Sequence, residues 1–203
     1  KFGDDRRTLI EEARVAQNEA TVPSSPVTVI ITEKGFLTTR SGHDYDLSAL
    51  NLRVGDAVLK KIECRTTDSI CALSQTGRSY TIAVSALPGG RSDGQPLSAF
   101  IDLEKGGEIV AWAAADEKSR VLLYADNGLG LVCRTSDLVA RPRAGKAFFK
   151  PEDGSVLLGM VALDEANPLL ACLASKNRLL VFDASEVRLL SAGGKGCKKI
   201  FFG

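Results

Sequence analysis

Three loops that pair glycine with basic side chains recur at a fixed interval along this chain. Gly94 in Arg91-Ser-Asp-Gly-Gln-Pro96, Gly145 in Arg141-Pro-Arg-Ala-Gly-Lys146 and Gly196 in Gly193-Gly-Lys-Gly-Cys-Lys198 lie 51 residues apart on both intervals. A period of that size marks a chain built from stacked supersecondary units. A second series keeps similar time. Apolar runs at Val27–Thr32, Ser69–Ser74, Arg120–Ala125 and Leu169–Ala174 each lead into a tight turn, at Gly35, Gly77, Gly128 and Asn177. Those turn residues are 42, 51 and 49 positions apart. Each run is read as the first strand of a hairpin, because Gly and Asn enter positive φ at little cost.

One small twisted sheet cannot bury both of its faces, so units of about fifty residues with four short strands need neighbours on each side. The expected fold is therefore all-β, a propeller-like disc of four-stranded blades with four visible repeats. A β-sandwich would explain the strands but not the recurrence. Each glycine loop is expected to run into another β segment, at Pro96–Ile101, Lys146–Lys150 and Lys198–Phe202. The last of these either opens a partial fifth blade or closes the ring.

Residues 1–22 read differently. Phe2, Leu9, Ile10, Ala13 and Ala16 fall at roughly helical spacing in a charged stretch, and Val22-Pro-Ser-Ser-Pro26 breaks it. A short helix and linker are expected there, completing a domain upstream, with the β disc over residues 23–203. No apolar run approaches the roughly 18 residues of a membrane span, and the first twenty residues are too charged for a secretory signal. The expected location is cytoplasmic.

Charge and cysteine usage narrow the chemistry. The formal net charge is only +1, from 26 basic and 25 acidic residues, so any anion-binding role must rest on distribution. Five cysteines, Cys64, Cys71, Cys133, Cys172 and Cys197, form no C-x-x-C pair and sit mostly in apolar runs, as reduced core thiols do. One histidine, His43, cannot assemble a metal cluster with ligands so scattered, and beside Asp44 and Asp46 it fits a turn better than acid–base work. Trp112 in Ile109-Val-Ala-Trp-Ala113 reads as packing. Of Tyr45, Tyr80 and Tyr124, the last two lie in β runs with no base or metal-ligand cluster nearby in sequence. Gly128-Leu-Gly130 is a hairpin rather than a phosphate cradle, and no Walker or dinucleotide fingerprint occurs. No catalytic residue, metal ligand or cofactor site is assigned.

Several stretches resemble the C-terminal domain of the A subunit of bacterial type IIA DNA topoisomerases, on the topoisomerase IV side of that family. They are the three glycine loops, the hairpin Gln75-Thr-Gly-Arg-Ser-Tyr80, and the opening Pro26-Val-Thr-Val-Ile-Ile-Thr-Glu-Lys-Gly-Phe36 with Ser41-Gly-His-Asp44. Gly3-Asp-Asp-Arg-Arg-Thr-Leu-Ile10 resembles the end of the family's breakage-reunion domain. The resemblance implies a β-pinwheel, a disc whose blades exchange a strand and whose basic rim binds and bends duplex DNA. It also implies a non-catalytic part of an ATP-hydrolysing enzyme of decatenation and supercoil relaxation. ATP and magnesium would belong to other domains, and the partners would be double-stranded DNA, the upstream breakage-reunion domain and a B subunit in an A2B2 complex. The gyrase box Gln-Arg-Arg-Gly-Gly-Lys-Gly is missing after the first hairpin, where Arg40-Ser-Gly-His-Asp44 stands. Gly193-Gly-Lys-Gly196 keeps only its tail.

Duplex DNA carries a phosphate charge about every 1.7 Å of axis, so a disc that bends it needs cations repeated around its edge. Arg40, Arg91, Arg134, Arg141, Arg143, Lys146, Lys150, Lys195, Lys198 and Lys199 lie in or beside the recurring loops and are the candidate DNA contacts. Residues 134–150 hold five basic side chains against Asp137 alone, and residues 188–203 hold four against none. Two other readings stay open at this point: a gyrase-type wrapping domain with a degenerate box, and a propeller-like protein-interaction module, which the near-neutral charge would suit.

Overall fold

The first three hairpins form where a glycine turn reverses an apolar run. A computed structural model describes residues 23–90, 92–152, 154–164, 166, 168–174 and 178–198; the helix expected over residues 1–22 lies outside them. The hairpins are β1 (Pro26–Thr32) with β2 (Phe36–Ser41), β4 (Ser69–Ser74) with β5 (Arg78–Ala83), β8 (Arg120–Ala125) with β9 (Leu129–Arg134), and β12 (Leu169–Ala174) with β13 (Arg178–Asp183). Three of the turns share one design. The amides of Gly35, Gly77 and Gly128 bond back to Thr32, Ser74 and Ala125 at 2.9, 2.8 and 3.1 Å, and the glycines adopt φ of +77°, +80° and +78°. A turn followed by a left-handed residue is the usual three-residue hairpin loop.

Every complete blade adds two strands to its hairpin. β3 (Val58–Arg65), β7 (Ile109–Ala114) and β11 (Leu157–Leu163) join the first hairpin strand. The two-residue strands β6 (Gln95–Pro96), β10 (Lys146–Ala147) and β14 (Cys197–Lys198) join the second. The resulting orders are β3-β1-β2-β6, β10-β5-β4-β7 and β11-β8-β9-β14, all antiparallel. β6 comes from beyond the second hairpin, β10 from beyond the third and β14 from beyond the fourth. Each unit thus lends a strand to the blade before it, which defines a β-pinwheel. Among the described residues the fourth blade is the hairpin β12–β13 alone.

β3, β7 and β11 neighbour one another at the hub around a cavity of about 620 Å3, which places the exchanged strands at the rim. Each hub strand carries an extra residue at the same place, Leu59, Val110 or Leu158, where the ladder to its neighbour shifts register. Such bulges add twist, which coils the inner strands around the axis.

The core lies between blades. In β4, Ile70 and Ala72 pack with Val29, Ile31 and Leu37 of the first blade, whereas Cys71 and Leu73 pack with Leu123, Leu131 and Cys133 of the third. Burial on both faces explains why these strands are continuous apolar runs rather than alternating ones. On the fourth hairpin, Phe182 packs against Leu122 and Val132 of the third blade, while Leu169, Leu173, Leu179 and Val181 on its other face stay 54–67% exposed.

The segments after the glycine loops are shorter as strands than the sequence suggests. Pro96 leads directly into a 3-10 turn at Leu97–Ala99, and β10 stops at Ala147 because Phe148 and Phe149 are both 1% exposed. Consecutive residues of a strand point to opposite faces. Two adjacent aromatics with one shared core therefore require the chain to turn inward. β14 completes the third blade, so Lys198 neither opens a new blade nor closes the ring; residues 199–203 lie outside the described residues.

The cysteines and aromatics fall as expected. All five thiols are free; Cys64, Cys71 and Cys133 are buried, and burial pushes their thiols up to about 11, 11 and 12. Trp112 is 4% exposed and packs between the first two blades. His43 sits in a bend, its Nε2 3.0 Å from the Cys64 carbonyl oxygen.

Candidate nucleic-acid interface

The three recurrent glycines admit the exchanged strands. Gly94, Gly145 and Gly196 have φ of +85°, +66° and +76°. A Cβ on them would lie 2.9 Å from the carbonyl oxygen of Leu37, 2.4 Å from that of Ser79 and 2.5 Å from that of Gly130. Leu37, Ser79 and Gly130 are each the second residue of the receiving strand. The 51-residue period is therefore the spacing of strand exchange, and the cations ride on loops held against a neighbouring blade.

Several of those cations bond into the fold. Arg40, half-buried, donates from Nη1 to Thr38 Oγ1 at 2.7 Å and the Thr39 carbonyl at 2.9 Å, and from Nη2 to the Ser92 carbonyl at 3.1 Å. Arg78 does the same for the second exchanged loop, reaching the carbonyls of Ala144 and Gly145 at 2.9 and 3.1 Å and Glu104 at 3.7 Å. Arg143 donates to the Ala99 carbonyl at 2.9 Å and pairs with Asp102 at 3.7 Å. The Lys146 ammonium donates to the Asp137 carbonyl at 2.6 Å and lies 5.3 Å from the Phe148 ring centre.

Others project. Arg141, Lys150 and Lys195 are exposed, and their side chains make no ion pair or hydrogen bond among the described residues. Two of them meet across 45 residues of sequence. The Lys150 amide bonds to the Gly194 carbonyl at 2.9 Å, and the Gly194 amide to the Phe148 carbonyl at 2.8 Å. With Phe148 and Phe149 anchoring the loop from below, Lys150 and Lys195 stand side by side where the second and third blades meet at the rim. Arg134 is exposed at the end of β9, opposite Arg120, in a groove shared with Lys118 and Leu189. Arg188, counted in the basic stretch 188–203 but not among the candidate contacts, is exposed, and its carbonyl accepts from the Val132 amide of the same blade. Lys198 is placed by its backbone in β14, and Arg91 and Lys199 lie outside the described residues.

The hub cavity has a mixed wall, with Lys60, Glu63, Asp116 and Arg120 beside apolar Ile62, Trp112, Met160 and Leu163. Lys60 donates to the Trp112 carbonyl at 2.7 Å, and partial burial holds its ammonium below the usual lysine value. Among the described residues no three His, Cys, Asp or Glu side chains are placed to hold a metal, and no helix is long and apolar enough to cross a membrane.

Blades that each receive a strand from the next unit make this a β-pinwheel domain, with Arg141, Lys150 and Lys195 unpaired among the described residues of its rim. No protein-family profile matches the chain. It is 33% identical over 202 residues to the A subunit of DNA topoisomerase 4 from Escherichia coli K12, and 36% identical over 208 residues to that of Neisseria gonorrhoeae. Both alignments cover 98% of the chain and 27% of the relative, so the chain spans about a quarter of those proteins. Its structure superposes on the E. coli ParC C-terminal domain with a TM-score of 0.80 at 32% identity, covering 86% of this chain and 71% of that one. The gyrase A C-terminal domain shares the fold, with a TM-score of 0.57 at 21% identity. The chain belongs to the family of C-terminal domains found in the A subunits of topoisomerase IV.

Proposed function

We propose that this disc binds duplex DNA along its rim and bends it, and so guides which duplex segments the whole topoisomerase IV passes during ATP-dependent decatenation and supercoil relaxation. The observation that carries the reading is the rim at the junction of the second and third blades, where the Lys150 and Gly194 backbones are joined and the side chains of Lys150 and Lys195, like that of Arg141 in the preceding loop, are unpaired among the described residues. Contacts of this kind are to phosphates, so they hold the duplex without reading bases. In the whole protein the disc would work beside the upstream breakage-reunion domain, with a B subunit to complete an A2B2 enzyme and with ATP and magnesium bound elsewhere.

Counterion release makes the proposal measurable. Three phosphates neutralised give a log–log salt slope of about −2.7, or roughly a 40-fold loss of affinity between 50 and 200 mM salt. Fluorescence anisotropy with a 30-base-pair duplex of arbitrary sequence should show that slope, and a second sequence should give the same affinity. No binding at 50 mM salt, or a slope near zero, overturns the reading.

A further inference from the structure

We infer that Asp102 sets how far around the rim the duplex is held, by occupying Arg143 at the junction of the first and second blades. This rests on the DNA-binding reading and asks which part of the rim does the binding.

The two described rim junctions are built alike and charged differently. At the first, the Asp102 amide bonds to the Arg143 carbonyl at 3.0 Å, and the Arg143 guanidinium turns back onto the Ala99 carbonyl and the Asp102 carboxylate. At the second, the corresponding backbone hydrogen bond runs from the Lys150 amide to the Gly194 carbonyl at 2.9 Å, so Lys150 stands where the first junction has Asp102 and Gly194 where it has Arg143. There the cation is Lys150, and no acid pairs with it among the described residues. Among the described residues the free rim cations therefore run from Arg141 through Lys150 to Lys195, whereas Arg40 of the first blade is bound to Ser92.

Asp102 is not needed to hold the fold. Its side chain is 65% exposed and that of Arg143 59%, and an ion pair so open to water adds little stability. Its electrostatic effect on an incoming duplex is larger, because a carboxylate at that position repels phosphate and competes for the guanidinium. A guanidinium has five N–H donors, of which this one commits only those of Nη2, so removing the negative charge leaves Arg143 able to take a phosphate.

The test compares the wild-type chain with Asp102→Asn, Asp102→Asn/Arg143→Gln, Lys150→Gln/Lys195→Gln and, as a charge control on a hairpin turn, Glu33→Gln. Each is titrated with a 30-base-pair duplex from 50 to 200 mM salt and checked for an unchanged melting temperature. Asp102→Asn should steepen the slope by about 0.9, the value of one added phosphate, and tighten binding severalfold at 50 mM salt. Arg143→Gln should erase that gain in the Asp102→Asn background, and Glu33→Gln should produce none. The inference is overturned if Asp102→Asn leaves the slope unchanged, if the gain survives loss of Arg143, or if Glu33→Gln matches it. Failure of the underlying reading looks different: the wild type does not bind, or Lys150→Gln/Lys195→Gln leaves the slope as it was.

Discussion

Replacing Gly145 by alanine tests whether the glycine period encodes strand exchange. The residue has φ of +66°, and a Cβ there would lie 2.4 Å from the Ser79 carbonyl oxygen and 2.8 Å from Tyr80 Cδ1, both in a receiving strand that is buried at those positions. Left-handed backbone costs a non-glycine residue about 1–2 kcal/mol. Forcing a methyl group into a packed contact costs about 1–3 kcal/mol more. Gly106→Ala is the matched reference, since Gly106 has φ of +73° with nothing within 4 Å of its would-be Cβ, and it should show the backbone cost alone. The difference of about 1–3 kcal/mol corresponds to several degrees of melting temperature at roughly 2–4 °C per kcal/mol for a domain this size. Thermal unfolding followed by circular dichroism measures both variants. Because the same loop carries Arg141 and ends in Lys146, Gly145→Ala should also flatten the salt slope of duplex binding, and Gly106→Ala should not. Equal destabilisation by the two alanines would refute the assignment of Gly145 to the blade junction.

Arg78→Met removes two bonds to the second exchanged loop and a partly exposed pair with Glu104, so urea denaturation should register a loss of about 1–2 kcal/mol after allowing for solvent screening. The thiols of Cys71 and Cys133, raised to about 11 and 12, should react with a disulfide reagent at pH 8 no faster than the protein opens, as stopped labelling followed by mass spectrometry would show. Because burial raises these pKa values, the native state favours the neutral thiol; that stability is fully present below about pH 9 and should be lost as pH climbs toward 11–12. At the acid end, Asp116 is held below 3.8 first by the Ser119 hydroxyl and then by the amides of Lys118 and Ser119. Its contribution is present above 3.8 and lost as pH falls through the lowered value, and Ser119→Ala should move its carboxyl titration, read by NMR, back toward 3.8.

What could be read from the sequence was what local chemistry dictates. Gly35, Gly77 and Gly128 announce their hairpins because a left-handed residue is needed at one place in a three-residue turn, and the flanking apolar runs follow from burial on both faces. The 51-residue interval was visible for the same reason. Its meaning was not, because a Cβ clash between Gly145 and Ser79 joins residues of different units and leaves no local trace. Pro96–Ile101 and Lys146–Lys150 look like strands by composition, yet Phe148 and Phe149 are both buried one after the other, which ends the strand after two residues. The division of the cations was equally hidden. Arg40 and Arg141 each stand a few residues before a loop glycine, but Arg40 reaches the Ser92 carbonyl 52 positions away and Arg141 reaches nothing described.

That division explains how a chain with a formal charge of +1 can present a basic rim. A guanidinium bound to carbonyl oxygens, such as that of Arg40, adds to the formal sum but releases few counterions when DNA arrives. Carboxylates that cap turns, such as Asp46 on Ser48, Asp116 on Ser119 and Asp183 on Ser185, subtract from the sum while their lone pairs are taken by local donors. These hydrogen bonds to neutral groups leave the charges in place, but salt screens those lying more than a Debye length of about 8 Å from the rim. The field a duplex meets is then set by the side chains left over, and on the described part of the rim those are Arg141, Lys150 and Lys195. On the proposed function, a short arc of this kind would grip a bent duplex at a few phosphates rather than enclose it. Adding or removing one charge at its boundary should therefore change the length of DNA held more than it changes the stability of the disc.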